Sequence, residues 1–322
     1  MDRAFLLQEG DEAPALVTVP EAPPGEGEVS IAVEACALNF ADLLMIEGTY
    51  QETPPRPFAP GMEIAGRIAA IGPGVEGFAE NETVLAFCGS GGLADRLTVA
   101  AGRVIRRPDA LDPAHAAALP VAYGTSHLAL TARGRLARGE TLAVLGAGGG
   151  VGLTAVEIGA RMGARVIAVA RGRNKHDAAR AAGAAETIEP TDALAADLKA
   201  LGGVDVLYDP VGGEPAEQAA RALRPLGRHL VIGFASGSPP RIRPNVALVK
   251  NVDVIGFYWG GYLSFDPAPL RESLSEIVAL AAAGELKPRI GLRLPLERAA
   301  EGLQALRDRR VTGKVVIDLT SP

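Results

Sequence analysis

The rhythm of apolar and polar residues changes twice along this chain. In the first third, "EVSIAVEACAL" (28–38), "EIAGRIAAIG" (63–72) and "ETVLAFC" (82–88) run apolar or alternate, and "PPGEGE" and "GPGVEGF" punctuate them. Short strands between Pro/Gly turns predict a compact, barrel-like β fold. At "LDPAHAAALP" (111–120) the texture turns helical, with Asp112 as N-cap and Pro113 in the first helical position. From Thr141 onward strands and helices alternate strictly. "TLAVLG", "RVIAVA", "TIE", "VDVLYDP", "RHLVIGF" and "VDVIGFY" are the strands, and "VGLTAVEIGARMG", "KHDAARAAGA", "LAADLKALG" and "PAEQAARAL" are helices between them. Near-continuous apolar strands, each followed by a helix, predict a doubly wound parallel sheet covered on both faces. The tail reads helix "PLRESLSEIVALAAAG", strand "RIGLRLP", helix "LERAAEGLQALRDRR" and strand "GKVVIDL". It is too short for a core of its own, so it packs back onto the first third. The expected division is 1–122 with 261–322 as one domain and 123–260 as the other.

Composition narrows the class. With 322 residues, 48% apolar and 22% charged, the chain suits a two-domain globular enzyme. A net charge of −6, with acidic and basic residues interleaved, argues against a nucleic-acid-binding face. Two cysteines, Cys36 and Cys88, make neither a disulfide framework nor a multi-cysteine zinc module. The opening "MDRAFLLQEG" predicts no signal peptide, and no apolar run reaches membrane-spanning length. The expectation is a soluble cytoplasmic protein with no membrane partner.

"LGAGGGVG" (145–152) puts five glycines into eight positions between a strand and a helix. In that context glycine serves a tight turn, the approach of backbone amides to a pyrophosphate, and close helix–strand packing. The segment therefore reads as a dinucleotide cradle through Ala147, Gly149, Gly150, Val151 and Gly152. The next strand ends at Arg171, 19 residues beyond Gly152, in "RGRNK". An acid at such a position would bond a ribose 2′-hydroxyl; Arg171, Arg173 and Lys175 instead suit a 2′-phosphate, hence NADPH. Their alternative is a solvated basic turn.

Taken together, the β-rich first domain, the central dinucleotide fold and the returning tail resemble the medium-chain dehydrogenase/reductase superfamily over essentially the whole chain. "NFADLLMIEGTY" (39–50), "PFAPGMEIAG" (57–66), "GAGGGVG" and "VTGKVVIDL" are similar to its zinc-free quinone oxidoreductase branch. The resemblance implies an α/β protein with a β-rich, GroES-like catalytic domain and a Rossmann cofactor domain. The zinc alcohol dehydrogenases of the superfamily carry Cys where this chain has Asn39, and His where it has Met62. Neither residue substitutes for a thiolate or imidazole ligand, so no metal is expected. Without a Lewis acid the expected chemistry is hydride transfer to quinones or similarly activated acceptors in an interdomain cleft. An enone, 2-alkenal or enoyl-thioester reductase is the alternative. A cofactor-binding structural (crystallin-like) or RNA-associated protein is the alternative outside enzymology.

Asn39 is a candidate to orient substrate or nicotinamide ribose, or else a structural turn residue. Tyr50 is a candidate hydrogen-bond or proton donor, or a packing tyrosine. Asp42 fixes site geometry. Phe40 and Leu44 belong to the acceptor pocket, Leu44 standing where some relatives have tyrosine. Phe257 and Trp259, in "GFYWGGY", form an acceptor wall or pack a domain or dimer contact. The resemblance brings Thr125 to the nicotinamide end and Arg309 to the cofactor, with Arg310 a rival. Gly233 and Phe234 lie where parallel sheets bind ligands. In one departure, Glu189 and Pro190 stand where close relatives carry Asn-Tyr near the adenosine phosphate. A homodimer through the last sheet strand is expected by resemblance.

Overall fold

The computed structural model describes residues 1–320. Strands β1 (Asp2–Leu6), β2 (Ala15–Val19) and β3 (Glu28–Leu38) lead to helix α1 (Phe40–Ile46). Then come β4 (Glu63–Ile71), β5 (Thr83–Phe87), β6 (Arg96–Ala100), β7 (Val104–Arg106), α2 (Pro113–Ala117) and α3 (Pro120–Leu128). The alternating stretch runs β8 (Thr141–Leu145), α4 (Gly150–Arg161), β9 (Arg165–Val169), α5 (Arg173–Ala181), β10 (Glu186–Ile188) and α6 (Leu194–Ala200). It continues with β11 (Val204–Asp209), α7 (Gly213–Ala220), β12 (Leu223–Val231), α8 (Pro244–Lys250) and β13 (Asp253–Gly256). Last come α9 (Tyr262–Phe265), α10 (Pro267–Ala282), β14 (Ile290–Pro295), α11 (Ala299–Arg307) and β15 (Lys314–Asp318).

The chain divides into two compact units. One comprises Met1–Val121 together with the chain from Leu274 on; the other is Ala122–Ser273. The first has a sheet in the order β14-β15-β3-β4-β5-β7, from which β6 branches by pairing β3, and a β1-β2 hairpin. Tail strand β15 pairs antiparallel with β3, Val315 opposite Leu38. That pairing brings the tail's core residues Val315, Val316 and Ile317, all fully buried, into the sheet of the first third. Residues 261–273, assigned by sequence to the catalytic portion, group instead with the second unit. Two contacts account for this: the Tyr262 ring lies 5.9 Å from that of Phe257, and Ser273 Oγ is 2.9 Å from His127 Nδ1.

The second unit is a six-stranded parallel sheet in the order β10-β9-β8-β11-β12-β13. The order reverses direction at β8, which makes the region beyond the C-terminal ends of β8 and β11 the switch point where open parallel sheets bind ligands. Strand β8 is buried along its whole length, as a strand covered on both faces requires. On one side Leu145, Ile167, Val169 and Leu207 pack with α6 and α7 residues Leu194, Leu198, Ala216 and Ala219. No helix among the described residues is long and apolar enough to cross a membrane.

Several elements left no clear rhythm in the sequence. β1, β2, β6, β7, α1 and α8 are short, and β2 and α8 have no buried residue. Asp112 does cap α2 as its position predicted, accepting from the backbone N–H of Ala114 at 3.0 Å and of His115 at 3.2 Å.

Candidate active site

In the second unit the glycine-rich turn closes on itself. Gly149 N–H donates to Gly146 O at 2.9 Å and Ala147 N–H to Val169 O at 3.1 Å, tying the loop to β9. A Cβ added at Gly152 would stand 2.2 Å from Gly146 O, so only glycine lets α4 start this close to the end of β8. The first-turn N–H groups of α4, on Gly150, Val151 and Gly152, lack intrahelical partners and carry the positive end of the helix dipole. A Cβ at Gly148 would stand 2.5 Å from Lys175 Cγ, so the lysine stem lies directly across the turn. Of the basic candidates, Lys175 is therefore on the loop. Arg171 and Arg173 are exposed at the end of β9 and the start of α5, and Arg173 leans on Asp177 at 3.7 Å.

Buried hydroxyls brace this turn from below. Ser126 Oγ lies 2.7 Å from Thr154 Oγ1, 3.0 Å from Tyr208 Oη and 3.1 Å from Val151 O, while Thr154 Oγ1 also donates to Ala122 O at 3.0 Å. Burial pushes the Tyr208 phenol above its usual range, against its Ser126 hydrogen bond, so it stays a neutral brace. Thr125 precedes this cluster on α3 and is itself buried. The Trp259 indole packs on Gly124, beside the same turn of α3. Phe257 and Trp259 are both buried. Gly233 follows β12, its N–H 3.3 Å from Asp209 O, and Phe234 is partly exposed beside Gly212.

His229, on β12, is buried and so needs a hydrogen-bond partner. The sheet supplies one: Asp209, twenty residues earlier on the neighbouring strand, 3.0 Å from His229 Nε2 and fully buried with it. The other Asp209 oxygen accepts from Val211 N–H at 3.0 Å and Gly212 N–H at 2.8 Å. The pair thus fixes the "DPVGG" turn at the C-terminal edge of the sheet; register between parallel strands, not spacing, makes it.

In the first unit a second, fully closed network forms where β3 turns into α1. Asn39 precedes α1, and its backbone N–H donates to Asp42 Oδ2 at 2.7 Å. Asp42 Oδ1 accepts from Gly61 N–H at 2.8 Å, which binds the corner to the "PGME" turn. The Asn39 side chain points inward: Nδ2 reaches Glu63 Oε1 at 2.9 Å and Ala37 O at 3.4 Å. Lys314, set beside Leu38 by the β15–β3 register, places Nζ 2.9 Å from Leu38 O, 2.7 Å from Asn39 Oδ1 and 2.7 Å from Glu63 Oε1. Glu63 Oε2 accepts from Val121 N–H at 2.7 Å. All three ammonium protons and both carboxylate oxygens are used, as buried charges require. Both Asn39 amide protons are likewise spent, so Asn39 is not available to donate to a substrate oxygen. Sequence reasoning missed Lys314 and Glu63 as partners. The available signal was a charge at the head of each of two apolar strands, "EIAG" and "KVVI".

Met62 is buried just before Glu63. Burial pushes the thiols of Cys36 and Cys88 well above their usual range. Amide, thioether, protonated thiols and a carboxylate already neutralised by an ammonium are a poor donor set for zinc. No cluster of three or more His, Cys, Asp or Glu suited to a metal occurs among the described residues. Tyr50 and Leu44 are half-buried after and within α1, as is Phe40 at its first turn. Arg309, two residues past α11, is in the left-handed region at φ 55°, and Arg310 pairs with Asp308 at 2.8 Å.

Burial raises the Asp42 carboxyl from 3.8 to about 6; its bonds to the Asn39 and Gly61 N–H groups and the Lys314 charge oppose the rise, and the Glu63 charge adds to it. A carboxyl raised by folding stabilises the fold fully below its unfolded value and loses that contribution as pH climbs through its folded value. The stability of the wild type relative to Asp42→Asn should therefore fall by up to about 3 kcal/mol between pH 4 and 7 and then level off. Urea midpoints of both proteins across that range measure it, and a difference independent of pH would refute it.

Comparison with known proteins agrees with both units. Residues 25–109 match the alcohol dehydrogenase GroES-like domain, and residues 150–280 match the zinc-binding dehydrogenase domain. A quinone oxidoreductase-like protein 2 homolog from Nematostella vectensis is 36% identical over 301 residues, covering 91% of this chain and 82% of its own. The mouse quinone oxidoreductase-like protein 2 is 33% identical over 322 residues, covering 98% and 92%. Among solved structures, the quinone oxidoreductase from Thermus thermophilus, also determined in complex with NADPH, is 35% identical, with a TM-score of 0.88 over 98% of this chain and 100% of that one.

Proposed function

The chain belongs to the medium-chain dehydrogenase/reductase superfamily, among the quinone oxidoreductase-like proteins, and from that premise we propose that it is an NADPH-dependent reductase that passes hydride to quinones or similarly activated carbonyl acceptors without zinc. The observation that carries this reading is the Lys314–Glu63–Asn39 network: the corner that bears metal ligands in zinc-dependent relatives here holds a fully bonded ammonium. A cation already satisfies the carboxylate, and a metal ion would have to displace it.

NADPH, when bound, supplies the hydride. Gly149, Gly150, Val151 and Gly152 receive the pyrophosphate on the α4 N-terminus. Lys175 and Arg171 hold the 2′-phosphate, with Arg173 at the rim. Thr125, Gly233, Phe234 and Arg309 complete the cofactor contacts. Asn39, immobilised through Glu63 and Lys314, offers only its amide oxygen and so receives a hydroxyl rather than polarising a carbonyl. The donor to the acceptor oxygen is then Tyr50, with Phe40, Leu44, Phe257 and Trp259 supplying apolar surface that excludes water. Asp42 holds the Asn39 and Gly61 backbones in place.

Replacing both Arg171 and Lys175 with alanine should weaken NADPH binding about tenfold or more and leave NADH within about twofold. Fluorescence titration measures both; equal losses would remove these residues from the 2′-phosphate. Activity is tested with a panel of a quinone, an enal and an enoyl-thioester. Preference for the last two would select the enone-reductase reading. Tight NADPH binding with no turnover on any acceptor would favour a binding or structural role.

A homodimer is part of the same reading. Strand β13 ends the sheet and pairs only with β12 among the described residues. Leu248 and Val249 on the preceding helix are 78% and 80% exposed. An unpaired edge beside exposed aliphatic side chains favours two-fold strand pairing with a second copy. Leu248→Glu with Val249→Glu should shift the sedimentation coefficient from dimer to monomer; a wild-type monomer would contradict the assembly.

A further inference from the structure

Glu189, the residue after β10, lies beside the basic turn that follows β9, and nothing in the reading above uses it. Strands β9 and β10 are parallel neighbours with Ile188 opposite Val169, so the residue after β10 arrives beside the chain that leaves β9. That chain is Ala170, Arg171 and Gly172, and Gly172 is the N-cap of α5. Glu189 Oε1 accepts from the Gly172 backbone N–H at 2.9 Å. It also stands 3.6 Å from His176 Nε2, on the first turns of α5. His176 Nε2 lies 2.7 Å from Ala170 O, an atom that can only accept, so this nitrogen carries the ring proton and Glu189 lies on its donor side. The carboxylate is half exposed, with a side-chain exposure of 46%.

A carboxylate on the N–H of a helix N-cap takes the place an external anion takes at such an end. Here the helix end is the one that follows the second strand of the dinucleotide fold, where the 2′-position of the adenosine ribose is read. The turn therefore presents opposed charges to that position. Arg171, Arg173 and Lys175 attract a phosphate; Glu189 repels one and offers an acceptor to a hydroxyl.

We propose that Glu189 is a specificity-determining residue at the adenosine 2′-position, held on Gly172 N–H so that its charge weakens the grip on a 2′-phosphate and its oxygen accepts a 2′-hydroxyl. The chain then uses NADH as well as NADPH, with a narrower preference than its three basic residues alone would set. The inference rests on the cofactor reading above and adds a carboxylate acting against it.

Glu189→Gln tests it with little disturbance, since the amide oxygen can still accept from Gly172 N–H. Fluorescence titration of the full chain with NADPH and with NADH should give NADPH tightened about three- to tenfold, as loss of one screened like charge predicts, and NADH unchanged or slightly weaker. Glu189→Lys should move NADPH further in the same direction. The gain should shrink at high salt, because its origin is a charge near the surface. Competition by adenosine 2′,5′-bisphosphate and by adenosine 5′-monophosphate should repeat the pattern, which confines the effect to the adenosine half. An unchanged ratio of NADPH to NADH affinity in both variants would overturn the inference and leave the cofactor reading intact. Failure of the wild type to bind either dinucleotide would overturn both.

Discussion

Replacing Lys314 with methionine is expected to lower the unfolding free energy by about 3–5 kcal/mol, the usual cost of leaving one member of a buried ion pair behind. Methionine preserves much of the side-chain volume, so the loss reports charge rather than packing. Lys314 is 4% exposed and Glu63 not at all, so bulk solvent does not reach the pair. The deletion strips one partner each from Leu38 O, Asn39 Oδ1 and Glu63 Oε1. Neutralising the stranded carboxylate should recover a large part of the loss. Lys314→Met combined with Glu63→Gln should therefore be more stable than Lys314→Met alone, with a coupling energy of about 2 kcal/mol or more. Urea unfolding of the two single variants and the double variant supplies the cycle. Additive losses, or a single-variant loss below about 1 kcal/mol, would contradict the closed network.

Gly152→Ala is the second large effect, and its readout is cofactor affinity. The new methyl group would stand 2.2 Å from Gly146 O, 2.7 Å from Gly146 C and 2.8 Å from Ala147 Cα. All three are backbone atoms, which cannot rotate aside. Helix α4 must instead retreat from the end of β8 by about an ångström, and displacements of that size cost about a hundredfold where positioning matters. NADPH affinity should fall about ten- to a hundredfold, because the N–H groups of Gly150, Val151 and Gly152 move with the helix. Gly102→Ala serves as a control, since nothing lies within 4 Å of its added Cβ. Equal affinities in the two variants would take the pyrophosphate away from this turn.

The doubly wound unit was legible because its strands are covered on both faces. Such strands must be apolar throughout, as "TLAVL" and "RVIAV" are, and the glycine turn between them has few alternative uses. The tail's return was legible for the complementary reason, that "GKVVIDL" needs a sheet to be buried in. The division at residue 261 was not, because Tyr262 and Ser273 join the second unit through a ring contact and a side-chain hydrogen bond that leave no periodic trace. At the candidate site, the sequence identified Asn39 and Asp42 by motif but could not show that the Asn39 amide protons face inward. That orientation depends on Lys314, 275 residues away along the chain and adjacent only through the β15–β3 pairing. Glu189 was noticed as a departure; its partner Gly172 follows from the parallel register of β9 and β10.

The proposed reaction passes hydride from NADPH to an activated acceptor beside the Lys314–Glu63–Asn39 corner, without zinc. The most direct test follows the loss of NADPH absorbance with a quinone as acceptor, using protein whose zinc content has been determined by mass spectrometry before and after dialysis against a chelator. Turnover is expected with far less than one zinc per chain and at the same rate after chelation. Turnover that disappears on chelation and returns with added zinc would contradict it.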